Sequence, residues 1–545
     1  MISMTYGRTL AQSGEFLWFS GADKVQGFTN MLWTLYMALL HFLGLTGSGA
    51  ALAISITGII IITLLALLSK AIIAGKSQDR RVVFISNVCA TSVYFLFPLT
   101  FWTLRGMEVG LLALLFMSIV YLLQSELERN NRFSKKSWLL VILVSAGVAT
   151  RIDFIVPMAA LALGLAINRF EPGGEAIRKT LARSGLIMLA GTMTLAVILV
   201  IQMWVWGDMF PNTYFLKVEG FALQERILRG VFSSLKFFPL AILGFVSWWQ
   251  IQKNSNVETR QLSTLLFSGV VASLAYSIYV GGDAWEGLQM SNRYLAAALV
   301  PILVLCVLAV REMDFTSKGI SFRRRFLVIT GLSSFLLGAS VNPFAYKPVY
   351  AIAGILSLSA LAVGYRLLEK PASQNSRNRH LQGVVATLLV LVFSSAIPVS
   401  SMLAWRTVQA AGVDAQMTSL GIALKEATKP GAKIALAWAG APAYYSERQT
   451  IDLLGKNDKR IAHQTPVFIE GSWNSEFYPG HNKFDFDYSV GILKPDIMAQ
   501  LLGVPGEATK LAALGYEKKC LADAFEVYVL QKSPNLNPNV LVACK

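Results

Sequence analysis

Apolar runs long enough to cross a bilayer, about 17–25 residues each, recur along this chain and stop near residue 402. The pattern predicts an α-helical polytopic membrane protein with about 12 spans, at 50–68, 82–101, 107–124, 138–150, 153–167, 186–206, 230–250, 262–280, 294–310, 326–342, 348–367 and 381–402. The runs at 138–150 and 153–167 are short, with Arg151 and Asp153 between them. Ahead of the first span, residues 1–27 are polar and aromatic. The apolar stretch 28–45 reads as a short helix lying in the outer interface, anchored by Trp33 and Tyr36. Beyond 402, β-like runs at 433–437 and 525–530 mix with helical ones at 415–427 and 497–502, as in a small soluble α/β domain. Three parts follow: 1–49 as an outward loop with an interfacial helix, 50–402 as the transmembrane domain, and 403–545 as an extracytoplasmic domain.

Composition agrees: 54% of the 545 residues are hydrophobic and 15% charged, with a mean hydropathy of +0.53, which excludes an ordinary soluble globular protein. The formal charge of +16 is unevenly placed. Residues 403–545 hold 15 Lys+Arg against 14 Asp+Glu, so +15 belongs to the membrane part. Loops 70–81, 125–137, 168–185, 251–261, 311–325 and 366–380 carry 23 Lys+Arg, and the alternate loops carry 7. That asymmetry is the positive-inside signature rather than a nucleic-acid surface, and it puts the C-terminal domain outside the cytoplasm. The start, Met1 to Gly14, has no apolar core of a cleavable signal peptide. Cys89 and Cys306 fall in apolar runs, and Cys520 and Cys544 in the outward domain are the candidate disulfide pair. No Cys or His spacing resembles a metal site.

The polar residues gather in the outward loops. The densest stretch is Tyr279-Val280-Gly281-Gly282-Asp283-Ala284-Trp285-Glu286-Gly287, followed by Ser291-Asn292-Arg293-Tyr294. With it go Arg105-Gly106-Met107-Glu108, Arg151-Ile152-Asp153, and Pro211-Asn212-Thr213-Tyr214 with Lys217. Arginine or lysine at this depth suits a lipid phosphate, which it binds by charge-assisted hydrogen bonds; Arg293, Lys217 and Arg105 are the candidates. Asp283, Asp23, Glu108 and Asp153 are candidate carboxylates for deprotonating a hydroxyl or for facing an oxocarbenium-like centre.

These motifs, together with Gln26-Gly27-Phe28-Thr29-Asn30-Met31-Leu32-Trp33 and Ile451-Asp452-Leu453-Leu454-Gly455 with Gly480-His481, occur in an order that resembles the bacterial relatives of the terminal β-1,2-arabinofuranosyltransferase. Those proteins are GT-C class membrane glycosyltransferases. The resemblance covers nearly the whole chain. It implies inverting transfer of a sugar from a polyprenyl-phosphate donor to a cell-envelope glycan or lipid, at the outer face of the bacterial inner membrane. It implies no resident cofactor, leaves a divalent metal open, and does not imply arabinose. Asp283 and Asp23 become the catalytic candidates, and Arg293, Lys217, Arg105, Glu108, Asn212, Tyr214, Arg151 and Asp153 the donor-binding ones. In the outward domain Asp452, His481 and Trp473 are candidate acceptor contacts, with Tyr444 and Tyr445 as further sugar-stacking rings.

The family also leads one to expect a span and an acidic pair ahead of the segment that Ile2-Ser3-Met4-Thr5-Tyr6-Gly7-Arg8 resembles. This chain starts at Met1, so a truncated start is expected, with a degenerate copy serving as a structural subunit as the alternative. A third reading, a transporter or flippase for a lipid-linked sugar, calls for mid-span charges and broken helices in both halves. The charges cluster at one face instead.

Overall fold

The computed structural model describes residues 1–127, 135–167, 174–235, 237–288, 292–312, 409–521 and 525–544. The expected spans 326–342, 348–367 and 381–402 lie outside the described residues. In chain order the helices are α1 (Ile2–Ser13), α2 (Met31–Phe42), α3 (Gly47–Ala74), α4 (Arg80–Val93), α5 (Phe97–Leu104), α6 (Val109–Leu127), α7 (Lys135–Thr150), α8 (Ile155–Ile167), α9 (Gly174–Trp206), α10 (Asn212–Val218), α11 (Leu223–Ser234), α12 (Phe238–Asn254), α13 (Val257–Tyr279), α14 (Arg293–Ala296) and α15 (Leu299–Arg311). Beyond them come α16 (Gln409–Ala427), α17 (Ala441–Ser446), α18 (Lys459–Ala462) and α19 (Glu507–Ala513). The chain divides into two compact units. One joins Met1–Ala53, Ala196–Arg226 and Trp405–Lys545, and the other joins Ile54–Leu195 and Ile227–Ala404.

The second unit is a helical bundle. Among the described residues four helices are long and apolar enough to cross a membrane: Gly47–Ala74, Thr180–Trp206, Val257–Tyr279 and Arg293–Arg311. A fifth is the pair Val82–Val93 and Pro98–Leu104, bent by 54° where the chain leaves the helix ahead of the proline in the first turn of α5. The expected spans at 107–124, 138–150 and 153–167 are shorter apolar helices, and 230–250 is broken between Ser234 and Phe238. Among the described residues the count of twelve is thus not established. Ile56, Ile59, Ile60, Leu64 and Leu67 of α3 are exposed, as fits helices bathed in hydrocarbon rather than water. In contrast, α15 is buried all along Leu299–Val310, so it is the central helix. Small residues allow close approach: a Cβ on Gly110 would lie 2.5 Å from Thr103 Oγ1, and one on Gly269 would overlap the Phe116 ring.

The first unit is built on a six-stranded sheet: β1 (Lys433–Leu436), β2 (Gln449–Asp452), β3 (Ile497–Met498), β4 (Tyr516–Leu521), β5 (Phe525–Leu530) and β6 (Leu541–Val542), ordered β2-β1-β3-β5-β4-β6. β1 runs parallel to β2 and β3, and the remaining pairs are antiparallel. Strand alternation sends Ile434 and Leu436 into one core and Ala435 and Ala437 into another, so both faces are covered. The first core also takes Tyr6, Trp18, Phe28 and Trp206, with Tyr6 and Phe28 rings 4.9 Å apart. A disulfide joins Cys520 to Cys544.

Three expectations are corrected here. The run 497–502 is not helical, because Ile497 and Met498 pair with Ile434 and Ala435 inside the sheet, and tertiary pairing overrides the local apolar pattern. The stretch 28–45 does form a short helix, α2, but Trp33 is buried rather than an interface anchor. The outward face of α2 carries Leu32, Leu35, Leu39 and Phe42 instead. Tyr444 is buried, with its hydroxyl 2.8 Å from His41 Nε2 and its ring under the Arg8 guanidinium, so it offers no open face to a sugar.

Candidate functional site

In the helical unit α13 ends at Tyr279, and the chain turns on two left-handed glycines, Gly281 (φ +82°) and Gly282 (φ +79°). A Cβ on Gly282 would overlap Ser233 and come 2.8 Å from Glu286 Oε2, so only glycine fits. The turn buries Asp283 completely. Its Oδ2 lies 3.0 Å from Arg293 Nε and accepts from the Arg293 backbone N–H at 3.2 Å. Asn292 caps α14: its Oδ1 accepts from the N–H groups of Tyr294 (2.9 Å) and Leu295 (3.3 Å). Its Nδ2 donates to Glu286 Oε1 (2.5 Å) and Ser277 Oγ (2.8 Å). From α11, Arg229 donates to the carbonyls of Gly281 and Asp283 and stands 3.7 Å from Glu286 Oε2. Trp285 packs on Trp102 at 5.6 Å. Burial, helped by the Asp283 charge, pushes the Glu286 carboxyl up to about 7, while Arg229 and Asn292 pull the other way.

Beside this loop a second charged group closes the hairpin between α7 and α8. Arg151, 6% exposed, donates from Nε and Nη2 to the two Asp153 oxygens (2.9 and 2.5 Å) and from Nη1 to Glu108 Oε1 (2.9 Å). Each of the three nitrogens of that guanidinium thereby donates to a carboxylate. Arg151 and Arg293 lie over the Tyr294 ring at 5.2 and 5.4 Å. Here lies a cavity of about 70 Å³ whose polar lining is Arg151, Asp153, Tyr276, Arg293 and Tyr294. Its walls are apolar, with Leu112, Phe116, Phe154, Ala272 and Pro301 among them. The volume admits several water-sized groups, enough for a phosphate head but not for an isoprenoid chain. Unlike Arg151, Arg293 has no hydrogen-bond partner for Nη1 and Nη2 among the described residues, and its side chain is 20% exposed. An anion entering the cavity meets a guanidinium whose outer amines are uncommitted.

The remaining candidates have other settings. Arg105 rests over the Phe101 and Trp102 rings and is not among the residues lining the cavity. In the sheet-bearing unit Asn212 is buried and donates to the Gly455 carbonyl at 3.2 Å, and Tyr214 stacks on Phe210 at 4.7 Å. Lys217 runs its stem along Gly480. Asp452 is buried and holds its own loop, accepting from Leu454 N (3.1 Å), Asn457 N (2.9 Å) and Asn457 Nδ2 (2.8 Å); burial raises its pKa. That is a turn-forming role, not an open contact. Trp473 is exposed, with Nε1 bonded to the Leu502 carbonyl, and packs edge-on to Tyr478, which in turn packs on His481. Asp23 is exposed in the loop between α1 and α2. No group of three or more His, Cys, Asp or Glu side chains among the described residues is placed to hold a metal ion.

Among solved structures, the chain is similar to ArnT from Cupriavidus metallidurans in its apo state, with a TM-score of 0.50 and 12% identity over 97% of this chain and 92% of that one. The fold is ArnT-like, of the GT-C type. The same protein bound to undecaprenyl phosphate gives a TM-score of 0.49 at 13% identity, over 98% and 94% of the two chains. The profile of a domain of unknown function (DUF8728) matches residues 406–520. A search of curated proteins finds no match.

In this ArnT-like bundle, sequence reasoning named Asp283, Arg293, Glu108, Arg151 and Asp153, and the structure brings all five to one end of one unit. It missed Tyr276, Arg229 and the partnership of Glu286 with Asn292. Tyr276 carries no polar signal because it lies within an apolar span. Glu286 and Asn292 are visible as polar residues of the loop, but their pairing needs the turn made by Gly281 and Gly282.

Proposed function

We propose that the chain is an integral-membrane glycosyltransferase that moves a sugar from a polyprenyl-phosphate donor to a cell-envelope glycan or lipid, at the outer face of the inner membrane. The observation that carries this reading is the uncommitted fork of Arg293 in the lining of a largely apolar cavity. The donor phosphate would sit against that guanidinium while its isoprenoid tail stays among the helices. In a single displacement the acceptor oxygen bonds to the anomeric carbon as the sugar–phosphate bond breaks. The acceptor proton passes to a carboxylate, and polyprenyl phosphate leaves with its charge held by Arg293.

Asp283 does not face an acceptor here. Fully buried against Arg293, it is assigned to fixing that guanidinium rather than to taking the proton. Asp153 lines the cavity and supplies negative charge toward an oxocarbenium-like centre. Asp23, exposed in the sheet-bearing unit, is given no role at this cavity. The disulfide of the sheet-bearing unit favours an oxidising compartment for it.

The test is binding of undecaprenyl phosphate to the purified protein in nanodiscs, paired with transfer from labelled polyprenyl-phosphate sugars to envelope extracts. Arg293→Ala should weaken binding about tenfold to a hundredfold, the worth of one or two charge-assisted hydrogen bonds, with transfer falling in parallel. Wild-type affinity in that variant would overturn the site. Tight binding with no transfer from any donor would favour the flippase reading.

A further inference from the structure

The Arg293 guanidinium is held by more than its own ion pair. α14 is the opening turn of the helix Arg293–Arg311, and the Asn292 cap sets where that helix begins. The cap is itself fully engaged: Oδ1 takes two backbone N–H groups of α14, and Nδ2 is shared between Ser277 on α13 and Glu286. Glu286 is thus the link between the turn at Gly281 and Gly282 and the residue that faces the cavity. The groups around its carboxyl are Asp283 on its own loop, Arg229 and Ser233 on α11, and the neutral Asn292 amide.

We infer that Glu286 is a positioning residue for the donor phosphate: ionised, it locks the Asn292 cap and Arg229 together, and so holds Arg293 in the orientation that binds the anion. This deepens the reading given under Proposed function and rests on it. Ionised Glu286 accepts a charge-assisted hydrogen bond from Asn292 and attracts Arg229, and the protonated acid does both more weakly. Its pKa is raised, to about 7, so the lock is closed above that pH and loosened below it. The effect on stability has the opposite sign. A raised carboxyl pKa means that ionisation costs more in the folded than in the unfolded protein, so stability is lost as pH rises through about 7.

Undecaprenyl phosphate binding in nanodiscs at pH 5.5 and 8.5, for wild type, Glu286→Gln and Arg293→Ala, tests this. The phosphate titrates in the same way with every protein, so the affinity ratio between wild type and Glu286→Gln isolates the carboxyl. We expect Glu286→Gln to bind about tenfold more weakly than wild type at pH 8.5 and equally at pH 5.5. Thermal midpoints check folding: between the two pH values the wild-type midpoint should drop relative to that of Glu286→Gln. A Glu286 that merely supports the fold would move the midpoints and leave the affinity ratio the same at both pH values, and that result overturns the inference alone if Arg293→Ala has lost binding. Undiminished binding by Arg293→Ala overturns this inference and the proposed function together.

Discussion

Arg151 and Arg293 show how differently two buried arginines of one cavity are used. Arg151 spends its donors on Glu108 and Asp153, so it closes a hairpin, whereas Arg293 keeps its outer amines open. Arg151→Met should therefore act on stability: it strands the buried Glu108 and the half-buried Asp153, which costs on the order of 3–5 kcal/mol. Denaturant or thermal unfolding in detergent would measure this, and a loss below about 1 kcal/mol would mean that the network relaxes. The two arginines were both readable as candidates from their loop positions. Their division of labour was not, because it depends on which carboxylate each meets across α6, α7 and α13.

At the level of elements, two adjacent left-handed glycines redirect the chain from α13 into the loop that delivers Asp283, Glu286 and α14. Gly282→Ala should cost about 1–3 kcal/mol from the backbone conformation alone, with overlap on Ser233 in addition. It should also weaken undecaprenyl phosphate binding by shifting Glu286; unchanged affinity would show that the turn is not what places the cap. Regular elements followed the sequence where the local pattern agreed with the packing: β1 and β5 fall on the β-like runs at 433–437 and 525–530. They departed where packing dominates, as in 497–502. The run at 230–250 reads as one apolar window, yet it breaks between α11 and α12, since mean hydropathy does not register a change of helix.

Across the whole molecule, the membrane-helical character was legible from the apolar runs, because a bilayer imposes their length, whereas the ArnT-like fold was reached through the family resemblance. The make-up of the sheet-bearing unit was not legible. Tyr6, Trp18 and Phe28 join Trp206 in a core whose remaining members lie some four hundred residues or more later, and no local pattern encodes a contact at that separation. The loop charges also predict that this unit lies outside the cytoplasm. A Ser475→Cys variant, at an exposed position, should react with a membrane-impermeant maleimide in intact spheroplasts; reaction only after lysis would reverse the orientation.

The same long-range contacts bear on how the protein is made. Arg8 and His41 reach Tyr444, and Trp18 reaches Thr450, across 436, 403 and 432 positions. At translation speeds of about 5–20 residues per second, the partners of the earliest helices leave the ribosome tens of seconds after them. During that interval α1 and α2 have each other, but their side chains that meet residues beyond 405 have nothing to pack against. A nascent chain of this kind needs a holding factor or the membrane surface itself as a temporary cover, and slowing elongation before codon 444 should raise its dependence on that help.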